Sequence, residues 1–234
     1  MVDGQPVQIG DKADPATARI EIDGSLLPVR PDAVYYLMYK PIGTISTRSD
    51  ERGRPTVVEL VPSEPPVYPV GRLDSDSEGL LILTNDGDLT HLVTHPRFGM
   101  TKTYTVLTTG ALTTGDIRSL EAGVELEDGP ARARSARLID VGSEGTLLEV
   151  VMEEGRKREV RRMVAALGQE VKRLVRTAIG PIRDQKLKAG EWRHLSAEEI
   201  WKLCAVAGNA DDTPVRGANS RERMDSGLPV EDTT

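Results

Sequence analysis

The segment "GRLDSDSEGLLILTNDG", residues 71–87, surrounds a continuous apolar run with four acidic side chains. The run "GLLILT" predicts a strand that is buried on both faces. Asp86 or Asp88 then predicts the start of a helix, which Pro96 ends. Three roles are open for the carboxylates before the strand: metal ligands, turn residues or reactive groups. The remainder of the chain has to distinguish between them.

A calcium-binding loop is the first of these roles. Four residues occupy positions 1, 3, 5 and 6 of the EF-hand loop pattern, namely Asp74, Asp76, Glu78 and Gly79. The closing glutamate of that pattern is replaced by Asn85, and the flanking residues predict strands where the motif requires helices. The segment therefore does not predict a metal site.

The acidic residues also include ordinary turn formers. Ser75, Asp76 and Ser77 are residue types typical of turns, and we expect them to connect two strands. Asp74 differs because the apolar residues before it, ending in Leu73, predict a strand. Its carboxylate is then expected at a strand end, where scaffolds commonly present reactive groups.

Further strands and helices alternate irregularly along the chain. The segments "VYYLMYK", "KTYTVLTTG", "TLLEVVM" and "ARARSARLIDV" predict strands, and "GDIRSLEAG" and "RKREVRRMVAALGQ" predict helices. Ser196 and Glu199 predict a capping box at the start of a final helix. This order predicts an α+β domain with a mixed, largely antiparallel central sheet flanked by helices.

The composition narrows the class of protein. The 234 residues are 38% hydrophobic and 29% charged, which allows one large or two small domains with a core. A single cysteine, Cys204, and three histidines disfavour disulfides and a metal site. No signal peptide and no apolar run of ~20 residues is found. We expect a cytoplasmic monomer that binds neither a metal nor a membrane.

The charges are segregated along the sequence. The net charge is −7, but residues 155–188, the basic block, contain eleven Lys and Arg against three acids. The block predicts a nucleic-acid surface, although a solvated helix face gives the same pattern. Residues 209–234 are polar and acidic, and we expect a disordered tail there.

Four segments carry a resemblance to a known family. "MYKPIGTIST" precedes the opening segment, while "KTYTV" (residues 102–106) and "EGRKREVRRMVAALGQEVKRLVRTAIGPI" (154–182) follow it. In this order they resemble the RsuA-type ribosomal RNA pseudouridine synthases (RsuA, RluB, RluE and RluF), which isomerise uridine in ribosomal RNA. The resemblance implies a pseudouridine synthase fold and a catalytic domain over residues 33–208.

Residues 1–28 resemble the closing strands of the alpha-L RNA-binding module that is often fused ahead of this domain. The two helices of that module are missing from the sequence. A naturally shortened module and a start downstream of the real one both remain open. We expect residues 1–28 to form a partial module made of strands.

The resemblance assigns chemical roles to three residues. Pseudouridine formation moves uracil from a ring nitrogen to a ring carbon without net redox change, so no cofactor is expected. A carboxylate acts as nucleophile or base, and the resemblance implies Asp74 for this role. A charged carboxylate in a closed pocket requires a cation nearby, for which the resemblance implies Arg161. Tyr104 is implied to stack on the target uracil.

RNA contacts follow from the same resemblance. A uracil inside folded RNA must be flipped out, and Arg72 is placed to fill the vacated position or hold a phosphate. Six other basic residues are expected to contact the RNA backbone: Lys40, Lys102, Arg156, Lys157, Arg158 and Arg162. Glu159 departs from the glutamine or apolar residue usual in the family, but on a helix it does not face Arg161.

Two other functions compete with this interpretation. A non-catalytic RNA-binding or ribosome-assembly protein would keep the basic block and lose the reactive residues, yet Asp74, Tyr104 and Arg161 are all present. A carboxylate-based glycosidase is disfavoured because aromatic residues make up only 3% of the chain. The modified uridine and its ribosomal subunit are left open.

Overall fold

The computed structural model describes residues 1–8, 13, 18–22, 25–26 and 33–208. The predicted acidic tail, residues 209–234, lies outside this part of the chain, as does much of the predicted N-terminal module. In the described part of that module, Val2 bridges Gln5 and Ile20. The guanidinium of Arg19 lies 5.3 Å from the ring centre of Trp201, so this segment packs against the C-terminal part of the described chain.

A nine-stranded sheet forms the centre of the molecule. The strands of the described residues are β1 Glu21–Ile22, β2 Ser25–Leu26, β3 Tyr35–Lys40, β4 Tyr68–Pro69, β5 Glu78–Thr84, β6 Lys102–Thr108, β7 Val124–Leu126, β8 Gly129–Ala131, β9 Ser135–Gly142, β10 Gly145–Met152, β11 Val171–Ile179, β12 Ile182–Arg183 and β13 Trp192–His194. The helices are α1 Gly87–Thr94, α2 Thr114–Ala122, α3 Glu159–Ala166 and α4 Ala197–Gly208, and two short 3₁₀ turns are Val57–Leu60 and Pro96–Phe98.

The strand order is β13-β3-β5-β11-β6-β10-β9, with β4 paired to β5 and β12 paired to β11. The pair β5–β11 is parallel and the other pairs of this sheet are antiparallel. The expectation of an α+β fold with a mixed, largely antiparallel sheet and flanking helices is therefore confirmed. Two further hairpins, β1–β2 and β7–β8, stand apart from this sheet.

Strand β5 is apolar along its length because both of its faces are covered. Leu80 and Ile82 belong to a core cluster with residues of α1 and α4. Leu81 and Leu83 point to the opposite face and pack with Tyr36 and its neighbours. Alternating side chains of one strand thus supply two separate cores, which is why the sequence shows a continuous run.

Short-range hydrogen bonds set the helix boundaries. Asp86, rather than Asp88, caps α1, because its side chain accepts the backbone N–H groups of Asp88 and Leu89. The capping box predicted for the final helix is present: Ser196 N–H donates to Glu199, and Glu199 N–H donates to the Ser196 hydroxyl at 3.2 Å.

Three predicted elements differ from the structure. The strand expected to run up to Leu73 ends at Pro69, so Asp74 lies in the loop between β4 and β5 and not at a strand end. The helix predicted from Arg156 begins only at Glu159, because Arg158 has a left-handed backbone with φ of 52°. The single strand predicted over "ARARSARLIDV" is divided into β8 and β9. Between them the backbone N–H of Ala133 donates to Leu120 in α2 at 2.7 Å, so the chain leaves the path of a continuous strand there.

Candidate active site

The acidic loop, residues 71–77, connects β4 to β5 and is held by the segment after β3. The backbone N–H of Gly43 donates to the carbonyl of Ser75 at 2.8 Å. The hydroxyl of Ser46 donates to the carbonyl of Leu73 at 3.0 Å and accepts its N–H at 3.1 Å. Within the loop, the N–H of Ser77 donates to the carbonyl of Asp74 at 3.1 Å, which closes the predicted turn. The loop that carries Asp74 is therefore anchored on both sides.

The buried side chain of Lys40 also holds the acidic loop. Its side chain is fully buried at 0% exposure, and its ammonium donates to the carbonyls of Pro41 at 2.9 Å and Ser77 at 2.8 Å. Burial lowers the pKa of Lys40 to about 8, and the negative charges of Asp74 and Asp76 oppose that shift. The expected contact of Lys40 with the RNA backbone is incompatible with this burial. Lys40 instead braces the acidic loop from the interior.

Asp76 is held by arginines of the basic block. Arg158 donates to its two carboxylate oxygens at 3.0 and 2.8 Å, and Nε of Arg161 lies 3.4 Å from Oδ2. The hydrogen bond from Arg158, acting against partial burial, holds the pKa of Asp76 below its usual range. Asp76 is a turn residue as expected, and it is also the acidic partner of two arginines.

The other two acids of the opening segment have partners as well. Glu78 accepts hydrogen bonds from Arg173 at 2.7 Å and from the Tyr39 hydroxyl at 3.0 Å. Burial acts to raise the pKa of Glu78, but the two hydrogen bonds together with the positive charges of Arg173 and Lys40 lower it. Asp86 caps α1 and accepts the Tyr35 hydroxyl at 2.8 Å. Both carboxylates are thus committed to structure.

Asp74 is the exception in the acidic segment. Its side chain is half-buried, and among the described residues no side-chain hydrogen bond or ion pair to it is found. Positive groups nevertheless act on it through space, from Lys40, Arg158 and Arg161. An accessible carboxylate in a positive field is suited to react with a substrate.

Asp74 lines a narrow cavity of about 80 Å³ beside the start of α3. Tyr104 on β6 forms part of the same wall, and its side chain is only 9% exposed. Of the residues predicted from the sequence, the cavity brings together Arg72, Asp74, Tyr104, Arg156, Lys157 and Arg158. The structure therefore unites most of the predicted site around one opening.

Arg161 does not line this cavity, and its side chain lies between the acidic loop and the start of β11. It donates to the carbonyl of Asp76 at 2.7 Å and to the carbonyl of Val171 at 3.0 Å. Its nearest carboxylate is Asp76 rather than the expected Asp74. Burial lowers the pKa of Arg161, and the charge of Asp76 opposes this shift. In this structure Arg161 holds the acidic loop by hydrogen bonds and does not pair with Asp74.

Arg156 and Arg162 are also engaged within the protein. Arg162 donates to both carboxylate oxygens of Asp128 at 2.7 and 2.9 Å. Arg156 lies 3.3 Å from Asp128 and donates to Glu159 at 2.9 Å. These contacts fasten the β7–β8 turn to the start of α3. Backbone contact with RNA, expected for both arginines, has to compete with Asp128.

A second, larger cavity of about 460 Å³ adjoins the first. The two share Arg72, Tyr104 and residues 154–156 in their walls. Lys102 and Arg176 line the second cavity only. Arg72 is exposed at the boundary between the two.

The comparisons with known proteins identify the family of this chain. A family model described as RNA pseudouridylate synthase matches residues 34–166. The chain belongs to the RNA pseudouridylate synthase family. It is 38% identical over 192 residues to a ribosomal large subunit pseudouridine synthase B of Bacillus subtilis, with 81% of this chain and 78% of that protein covered.

Two further comparisons extend the match over more of the chain. An uncharacterized RNA pseudouridine synthase of Aquifex aeolicus is 41% identical over 212 residues, covering 88% of this chain and 84% of that protein. A crystal structure of a pseudouridylate synthase superposes with a TM-score of 0.67 at 30% identity, covering 87% of each chain. The resemblance stated from the four motifs is thereby confirmed. This RNA pseudouridine synthase is an isomerase that acts on RNA, so the non-catalytic and glycosidase alternatives are set aside.

Several residues of this pseudouridine synthase site were not predicted. Ser46, Asp128, Arg173 and Arg176 hold or line it. The sequence assigned none of them a role, although all but Asp128 lie within the segments that carry the family resemblance. Among the described residues, no cluster of three or more His, Cys, Asp or Glu could hold a metal ion. No helix in the described ranges is both long and apolar enough to cross a membrane.

Proposed function

We propose that Asp74 is the reactive carboxylate with which this RNA pseudouridine synthase isomerises a uridine of ribosomal RNA. The observation that carries the proposal is a difference among the four acids of the segment. Asp76, Glu78 and Asp86 accept hydrogen bonds from other side chains, whereas Asp74 has no such partner among the described residues and lines a cavity. The relative named ribosomal large subunit pseudouridine synthase B supports ribosomal RNA, and specifically that of the large subunit, as the substrate.

The reaction requires an ionised carboxylate beside the target nucleotide. The bond between ribose and ring nitrogen breaks, uracil turns, and a bond from ribose to a ring carbon forms. The proton released from that carbon balances the proton gained by the nitrogen, so no redox partner enters. Asp74 acts as nucleophile or as base, and both roles depend on the positive field from Lys40, Arg158 and Arg161.

The surroundings of Asp74 suit a flipped nucleotide. Tyr104 offers a ring in the wall of the Asp74 cavity, on which the extruded uracil stacks. Arg72 is exposed beside both cavities and fills the vacated position in the RNA or holds the neighbouring phosphate. Arg161 serves as a positioning residue, because its hydrogen bond to the carbonyl of Asp76 keeps the loop in place.

Substitution of Asp74 by asparagine tests the proposal. Asp74→Asn preserves the shape of the side chain but removes its reactive charge, so we expect isomerisation to be abolished while RNA affinity stays within a few fold of wild type. Tritium release from uridine-labelled ribosomal RNA measures the reaction, and filter binding measures the affinity. Appreciable turnover by the purified, folded variant would remove Asp74 from the mechanism.

A further inference from the structure

Arg176 on β11 is a buried arginine with an incomplete set of hydrogen bonds. Its side chain is only 4% exposed. Nε donates to the carbonyl of Leu80 at 2.7 Å, whereas Nη2 is buried and has no hydrogen-bond partner among the described residues. Leaving part of a buried guanidinium without an acceptor is costly. An acceptor from outside the chain would complete this group.

Arg176 lines the larger of the two cavities, which provides room for such an acceptor. The cavity measures about 460 Å³, and Lys102 and Arg72 contribute two more basic side chains to its wall. Lys102 and Tyr104 are two positions apart on β6, and Arg176 on β11 lies directly opposite Tyr104. These side chains therefore share one face of the sheet.

The acidic residues around the cavity do not neutralise this cluster. Glu153 is paired with Arg134, and Glu154 lies 3.3 Å from Arg156. Lys102 reaches only the backbone carbonyl of Glu153, at 3.5 Å. Burial, and next the charge of Arg176, lower the pKa of Lys102 to about 8. The charges of Glu159 and Glu153 oppose this shift without reversing it. Basic side chains outnumber acidic ones in the cavity wall, so an excess of positive charge remains.

We propose that Lys102 and Arg176 form a phosphate-binding site for the RNA strand, next to the uridine that enters the Asp74 cavity. The proposal rests on the function proposed above and adds an anchoring site to it. Tyr104 is a wall of both cavities. A uracil stacked on it would have its own phosphate, or that of its neighbour, within reach of the second cavity.

A phosphate fits this site better than a neutral group. Two neighbouring cations repel each other, and a uracil carbonyl would leave that repulsion in place. A phosphodiester carries a negative charge and several acceptor oxygens, and it matches the fork of a guanidinium. A contact of this type positions the strand and carries no sequence information. The cavity would thus hold the backbone while Asp74 and Tyr104 receive the base.

Nucleotide titration of the full chain tests the site without requiring turnover. The ligands are uridine, uridine 5′-monophosphate, uridine 3′-monophosphate and inorganic phosphate, each measured by isothermal titration calorimetry. We expect at least one of the two nucleotides to bind wild type about tenfold more tightly than uridine, which corresponds to ~1.4 kcal/mol. The nucleotide that gains affinity also tells on which side of the uridine the phosphate lies.

Three variants assign the gain to particular side chains. Arg176→Gln and Lys102→Gln are each expected to remove most of the advantage of the nucleotide over uridine. Arg137→Gln is the control, because Arg137 is 67% exposed and lies on the edge strand β9. This variant also removes one positive charge, but it is expected to keep the advantage of the nucleotide over uridine. Thermal melting checks that each variant folds. Lys102 is only half-buried, so its variant decides the matter if the Arg176 variant does not fold.

Two results would overturn the proposal. One is equal affinity of wild type for uridine and both nucleotides. The other is a nucleotide advantage that persists in the folded Lys102 and Arg176 variants. Inorganic phosphate that binds through Arg176 without any nucleotide advantage would replace the RNA strand with a free phosphate as the ligand. Absence of isomerisation on ribosomal RNA would contradict the proposed function and leave this titration unaffected.

Discussion

Asp74 and Asp76 are two positions apart, yet their carboxylates have different surroundings. Asp76 accepts two hydrogen bonds from Arg158, whereas Asp74 lines the cavity with Tyr104. The loop backbone is held independently of both carboxylates, through Lys40, Ser46 and Gly43. Charge can therefore be removed from either aspartate without dismantling the loop.

Asp76→Asn is expected to leave turnover within a few fold of wild type and to tighten RNA binding by a few fold. Arg161 keeps its hydrogen bonds to the carbonyls of Asp76 and Val171, so the loop retains its position. Arg158 loses its anionic partner and becomes available to a phosphate. Tritium release and filter binding provide the two readouts. A loss of turnover comparable to that of Asp74→Asn would show that the chemistry involves both acids.

Lys40 is expected to make stability depend on pH in the alkaline range. Its pKa is about 8 in the folded protein against an ordinary value of 10.5. Between pH 8 and 10.5 the unfolded state holds the Lys40 proton and the folded state releases it, so the free energy of unfolding rises with pH in this range. This gain in stability disappears again as the pH falls from 10.5 to 8. Denaturant unfolding of wild type and Lys40→Met across this range should show wild type gaining stability relative to the variant. Parallel curves would contradict the buried charge.

The parallel pair β5–β11 places the acidic loop beside the basic block. The register joins Glu78 to Val175 and Gly79 to Arg176. Gly79 has φ of 110°, and a Cβ at this position would lie 2.6 Å from the backbone nitrogen of Arg176 and overlap its carbonyl oxygen. Glycine is required here because the two backbones approach too closely for any side chain.

Gly79→Ala is therefore expected to destabilise the fold by about 3 kcal/mol or more, since backbone strain and a steric clash add. Gly190→Ala is the matched control: Gly190 has φ of 86°, but a Cβ added there would meet no atom within 4 Å. That variant retains the strain alone and should cost about 1 kcal/mol. Thermal melting compares the two. Similar melting temperatures would show that β5 and β11 can move apart at little cost.

The protein has a net charge of −7, and many residues of its basic block are already paired with acids. Within the basic block, acidic partners occupy Arg156, Arg158, Arg161, Arg162, Lys172 and Arg173. Lys157 is exposed, lines the Asp74 cavity and has no such partner among the described residues. The surface available to a polyanion is thus smaller than the sequence count indicates.

Lys157→Gln is expected to weaken RNA binding and to make the log–log salt dependence less steep by about 0.7, the value for one phosphate on single strands. Lys172→Gln serves as the control, because Lys172 already pairs with Glu144 at 2.6 Å. Filter binding at several salt concentrations measures both slopes. Equal slopes for the two variants would mean that Lys157 makes no phosphate contact.

Local signals in the sequence determined much of the fold. The apolar run of β5, a helix cap at Asp86 or Asp88, and the capping box of Ser196 and Glu199 were predictable because each depends on residues within a few positions. The family and its motif residues were also readable, since four ordered segments were present. Asp74 and Tyr104 were named on that basis, and the structure places them in one cavity.

Only the tertiary structure decided which of these charges are free. Asp76 receives Arg158 from 82 residues away, and Glu78 receives Arg173 from 95 residues away. Lys40 carries no local mark of burial, and Arg176 resembles the exposed arginines near it in the sequence. Partner choice over such separations depends on strand register and packing, whose free energy comes from long-range contacts that a sequence pattern does not contain.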